Sequence, residues 1–132
     1  MNRKVLLTIG GVINLIFGLF HLFLGYMLHT NPNIPEGFRP LMEMLNAGGA
    51  LMIFFMAFAS LFYKEEMLTT KLGRLVIILT LLLYWSRAVE EATIAAGFSA
   101  VIFTSCILVG IIYFLLLIPS KDVTADVPEM VR

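Results

Sequence analysis

Arg87, followed by Glu90 and Glu91 at three and four residues, stands inside a stretch otherwise apolar enough for a lipid bilayer. A charged side chain at the centre of a membrane helix costs about 2.5–3.5 kcal/mol on insertion scales, so it needs a partner or a use. The two following carboxylates can reach the guanidinium along one helix face, and Glu43 is the candidate partner from another helix. A guanidinium also suits an anionic or carbonyl-bearing ligand, with His21 and Glu91 placed to exchange protons near neutral pH. His21, Glu43, Asn46, Tyr84, Arg87, Glu90 and Glu91 therefore form the candidate ligand-binding set, with Phe17, Phe20, Phe54 or Phe103 available to an apolar tail. The same groups could instead close on one another as an ion pair that fixes helix register. A metal reading would draw His21, Glu43, Glu91 and Cys106 from four helices, without support from any HxxH, HExxH or ExxH spacing. Haem has only His21 as a mid-span axial candidate, because His29 is expected in a loop. No catalytic motif singles out a reaction or a cofactor.

These residues need elements to carry them, and the composition says which kind. Of 132 residues, 60% are hydrophobic and 14% charged, against about 25% charged in a soluble domain. That excludes an ordinary water-soluble globule. Nine basic residues balance nine acidic ones, which removes the electrostatic case for nucleic acid as a partner. The single cysteine, Cys106, can form neither an internal disulfide nor a CxxC motif. Apolar runs predict spans at about 5–28, 41–63, 75–96 and 99–118, each near the roughly 20 residues a bilayer requires. The first run is too long for a signal peptide and lacks a cleavage site, so it reads as a retained helix. Pro40 suits a helix start, Lys64–Arg74 reads as a loop, and Gly97 suits a left-handed helix end. The expected fold is an all-α, integral membrane four-helix bundle over residues 1–118, followed by a short polar tail over 119–132.

Of the nine basic residues, Arg3, Lys4, Lys64, Lys71, Arg74, Lys121 and Arg132 fall on one side of the four spans, and Arg39 and Arg87 on the other. Basic residues are retained in the cytoplasm, so both termini are expected there, with a bacterial inner membrane as the location. Each span also carries one small or polar seam at three- and four-residue spacing, the period of a helix facing a neighbour. The seams read Gly11, Asn14, Gly18, His21, Gly25; then Glu43, Asn46, Ala50, Ile53, Ala57, Ser60; then Thr80, Tyr84, Arg87, Glu91; then Ser99, Phe103, Cys106, Gly110, Tyr113. At about 1.5 Å per residue, His21, Asn46, Arg87 and Glu91 lie roughly 8–13 Å below the outer ends of their helices. That gathers the ionisable groups in the outer half and leaves Asn14, Ser60 and Thr80 in the inner half.

Gly18-Leu-Phe-His-Leu-Phe-Leu-Gly25, followed by a proline-rich outer loop and three further spans, resembles the DoxX-like group of small four-helix bacterial membrane proteins. The resemblance implies a place beside membrane redox chemistry, near quinones. The expected function is an outer-leaflet polar pocket binding a small amphipathic or anionic ligand. The alternative is a non-catalytic accessory or assembly subunit that docks a larger membrane complex or a second copy of itself. A proton-coupled exporter needs a carboxylate reachable from both sides, and the inner half supplies none. The orientation predicts that a cysteine placed at Asn33 reacts with an impermeant thiol reagent on intact cells. One at Glu66 should react only after permeabilisation, and the opposite labelling would invert every assignment of inner and outer.

Overall fold

Lipid offers the backbone no hydrogen-bonding partner, so apolar runs without internal breakers satisfy their own amides as helices. The computed structural model describes residues 2–93 and 97–118. It contains α1 (Arg3–Thr30), α2 (Arg39–Phe62), α3 (Lys64–Thr69), α4 (Lys71–Thr93) and α5 (Ala100–Leu117). All but α3 are long and apolar enough to cross a membrane. The protein is an all-α, integral membrane four-helix bundle.

Local chemistry explains the ends. The Asn2 side chain accepts from the Lys4 amide and caps α1. At the far end Pro32 disfavours helical backbone at the residue before it, and Asn31 is extended. Between these signals nothing stops the helix, so His29 stands in the last turn of α1 rather than in the expected loop. At about 1.5 Å per residue the 28 residues of α1 reach roughly 42 Å. The loop between α1 and α2, outer in the orientation expected from the basic residues, is clamped by Arg39, whose Nη2 donates to the carbonyls of Asn31 and Ile34.

The stretch Lys64–Arg74, expected as a loop, contains α3. It has no proline, and Glu65 and Glu66 occupy the first turn of α3, where carboxylates complement the helix dipole. Met67 is buried and anchors it. Thr70 then turns extended, and its hydroxyl accepts from the Gly73 amide to start α4. Gly73 is obligatory at this corner, since a Cβ there would run into the main chain of Glu66 and Met67. Ser99 caps α5 by accepting from Ile102. Gly97 does not adopt the left-handed backbone expected of it, and no described glycine does. Residues 94–96 and the 119–132 tail lie outside the described residues.

α1 packs along α2, α4 packs along α5, and the two hairpins meet chiefly through α1 and α5. The core holds Leu7, Ile77, Leu81, Val109, Tyr113 and Leu116. Glycines set the spacing of these contacts. A Cβ on Gly11 would meet Leu61, one on Gly18 would meet Phe54, and one on Gly25 would meet Asn46, all on α2. Gly10 faces Tyr113 of α5, and Gly110 of α5 lies under the Trp85 ring of α4. The α1 seam thus points inward, while Leu19, beside it in sequence, is 55% exposed to the lipid side. Between α2 and α4 the bundle stays open as an apolar groove of about 530 Å³ lined by Met52, Met56, Leu79, Leu82, Trp85 and neighbouring residues.

An ideal Cβ at Gly18 would lie 2.7 Å from the Phe54 ring, so Gly18→Leu should overpack the α1–α2 contact and cost about 1–3 kcal/mol. Leu19→Ala should leave thermal unfolding in detergent nearly unchanged. Equal tolerance of the two would mean that the wrong face of α1 has been turned inward.

Candidate functional site

The outer polar groups are held in short-range pairs. Asn46 Nδ2 donates to the His21 carbonyl at 2.9 Å, which leaves Asn46 Oδ1 facing His21 Nδ1, also at 2.9 Å. An amide oxygen only accepts, so His21 Nδ1 carries the proton of that bond. Gly25 makes room for the pair, since a Cβ there would lie 2.9 Å from Asn46 Nδ2, while Gly49 leaves the His21 ring at ordinary contact distance. Nearer the outer end of the same hairpin, His29 Nδ1 lies 3.0 Å from Glu43 Oε1.

The other hairpin carries its own arrangement. Arg87 Nη2 is 2.8 Å from Glu91 Oε2, and Nη1 is 3.9 Å from Glu90 Oε2. The second oxygen of Glu91 accepts the Ser99 main-chain amide at 2.7 Å. Glu91 is therefore a buried carboxylate, 3% exposed, spoken for at both oxygens, and it ties the outer end of α4 to the start of α5. The Arg87 side chain stays 44% exposed and that of Glu90 55%. Such depth suits long side chains that reach toward the interface.

The seven candidate residues thus occupy separate places. His21 and Asn46 pair across α1 and α2, and Glu43 pairs with His29 in the same hairpin. Arg87, Glu90 and Glu91 form a cluster on α4. Glu43 is not the partner of Arg87, because α2 packs on α1 and presents its polar seam there. Tyr84 belongs to a different level altogether. Among the described residues no three His, Cys, Asp or Glu side chains gather as a metal site. His21, Glu43, Glu91 and Cys106 are accordingly not brought together. The aromatic side chains considered for an apolar ligand tail are used in packing instead: Phe17 lies against Tyr84 at 5.8 Å, Phe54 covers Gly18, and Phe103 lies against Phe98 at 5.5 Å. Phe20 faces outward.

The most completely buried polar cluster lies deeper. Asn14 Nδ2 donates to Tyr113 Oη at 2.7 Å, and Tyr84 Oη donates to Asn14 Oδ1 at 2.5 Å. Ser60 Oγ is 2.8 Å from Tyr113 Oη. One residue from each membrane-crossing helix contributes, and all four side chains are buried. All four stand on the polar seams, so the periodicity carried the signal. What a depth count along each axis does not include is the length of a tyrosine, which delivers its hydroxyl well away from its own backbone.

The chain matches no protein-family model, no curated protein and no solved structure.

The buried network generates a stability prediction. Membrane hydrogen bonds average about 0.6 kcal/mol and reach roughly 1.7, and a stranded buried donor costs about 1–3 kcal/mol. Asn14→Leu, which leaves both tyrosine hydroxyls short of a partner, should therefore lower stability by about 1–3 kcal/mol in a denaturant titration in mixed micelles. Tyr84→Phe should cost less, because it removes one hydroxyl and leaves the Asn14–Tyr113–Ser60 part intact. A neutral Asn14→Leu would remove the network from any role in holding the four helices.

Proposed function

We propose that this protein is an accessory or assembly subunit of a larger membrane complex, a non-catalytic four-helix scaffold that receives a partner's transmembrane segment. The observation that carries the reading is the pairing of the outer polar groups with one another: His21 with Asn46, His29 with Glu43, and Glu91 with both Arg87 and the Ser99 amide. A ligand at that level would have to displace bonds already made. The α2–α4 groove supports the same reading. It is apolar, flanked by the adaptable side chains Met52 and Met56, and methionine-rich surfaces accommodate varied partners. The DoxX-like resemblance of Gly18–Gly25 would place the complex in membrane redox chemistry, and the basic-residue distribution would place it in a bacterial inner membrane.

A second reading keeps the outer-leaflet ligand site, supported by the free faces of Arg87 and Glu90. The two readings separate in one pair of experiments. A photo-crosslinking residue at Met52 or Leu82 should capture a protein of discrete mass in native membranes, whereas one at Leu19 should capture lipid. The Arg87→Met, Glu91→Leu double variant, in which the ion pair is replaced by apolar packing, should fold and still complement a deletion strain. Capture of lipid alone at the groove, with loss of complementation in a stable double variant, would overturn the accessory reading and favour a ligand at Arg87.

A further inference from the structure

At the inner end of the bundle, where α1 and α4 begin and α5 finishes, lies a second cavity of about 290 Å³. Its polar wall is built from Arg3, Thr69, Thr70, Lys71 and Arg74, and its apolar wall includes Met67, Leu68, Ile77, Leu116 and Leu117. Three cations from two membrane-crossing helices converge there, and among the described residues no carboxylate lines it. The nearby acidic side chain Glu65 is engaged by Lys4 instead.

The three cations are held differently. Arg3 Nη2 donates to the Leu116 carbonyl at the end of α5, which fixes the guanidinium against the wall. Its Nε is buried and has no hydrogen-bond partner among the described residues. Lys71 and Arg74 are exposed, and among the described residues neither forms an ion pair. A buried donor without a partner is costly, and the two exposed cations beside it give an anion further charge-assisted partners. The volume sits at the lower edge of the roughly 300–1,000 Å³ typical of small-ligand pockets, which suits a headgroup rather than a whole lipid. The half-apolar wall suits the first carbons beyond an esterified phosphate. Basic pockets at the cytoplasmic ends of membrane helices commonly take anionic headgroups.

We propose that this cavity binds a phosphate group at the membrane surface, carried by an anionic lipid or free in solution, with Arg3, Lys71 and Arg74 as its cationic contacts. Positive-inside orientation alone would also place basic residues at this end. Lys64 provides the control, because it lies on the same side of the membrane and does not line the cavity.

The test uses the full-length protein in a mild detergent, titrated with short-chain phosphatidic acid, short-chain phosphatidylcholine and inorganic phosphate, with bound species counted by native mass spectrometry. Phosphatidic acid should bind at least about tenfold more tightly than phosphatidylcholine, at roughly fivefold per basic side chain near an anionic group. K71Q/R74Q should lose that preference, while K64Q and the charge-preserving K71R/R74K keep it. Displacement of the lipid by inorganic phosphate would assign the site to the phosphate group itself. Binding of phosphatidic acid that resists inorganic phosphate would assign it to the lipid. Equal binding of both lipids, or an unchanged preference in K71Q/R74Q, would overturn the proposal. So would binding that emerges only in D122N/D126N/E129Q, since the chain's own carboxylates would then be the occupant.

Discussion

The amide of Asn14 is the point at which the four membrane-crossing helices are held to one another. It receives a hydrogen bond from Tyr84 of α4 and gives one to Tyr113 of α5, whose hydroxyl also meets Ser60 of α2. In water such a cluster would compete with solvent at every bond. In a membrane the apolar surroundings supply no driving force between helices, so directional bonds and close packing carry association. A carboxamide has both a donor and an acceptor end, and this lets a single residue of α1 address both helices of the opposite hairpin.

Close packing sets up that exchange. Gly11, Gly18 and Gly25 bring α1 against α2, which presents Ser60 beside the same level, and Gly10 gives the Tyr113 ring its place. The opposite hairpin is closed by a large residue over a small one, Trp85 across Gly110, with Trp85 also stacked on Phe114 at 6.0 Å. Charge then secures the periphery. Arg39 gathers the outer loop, Glu91 joins α4 to the start of α5, and the Lys4–Glu65 pair joins α1 to α3. Exposed pairs of this last kind contribute little to stability, so their worth lies in register.

This division of labour bears on function. Most polar groups that lie inside the spans are consumed in holding the bundle together, and two openings lie elsewhere: an apolar groove on the α2–α4 flank and a basic cavity at the inner end. Neither is lined by any of the seven residues whose chemistry first suggests a site. A membrane protein of this size has few polar residues to spend. Those that stabilise the bundle are separated from the surfaces left to meet something else.

Much of this was determined by the sequence alone. Hydropathy is a property of local composition, so the four crossings and their approximate limits follow from it, and the three- and four-residue seams follow from helical period. Gly18, Asn14, Ser60, Tyr84, Glu91 and Tyr113 were all legible as inward-facing. The pairing of Arg87 with Glu91 was legible too, because i+4 neighbours meet on any helix. The tertiary structure decided which seam faces which. Helix adjacency gave Glu43 to His29 rather than to Arg87, since α2 lies on α1. Side-chain reach took Tyr84 out of the outer level and into the Asn14 network. The short helix α3 has local support in its first-turn carboxylates, and what fixes it against the bundle is the burial of Met67 in the core, a long-range contact. Local propensity records none of these tertiary contacts, because each depends on which elements are neighbours.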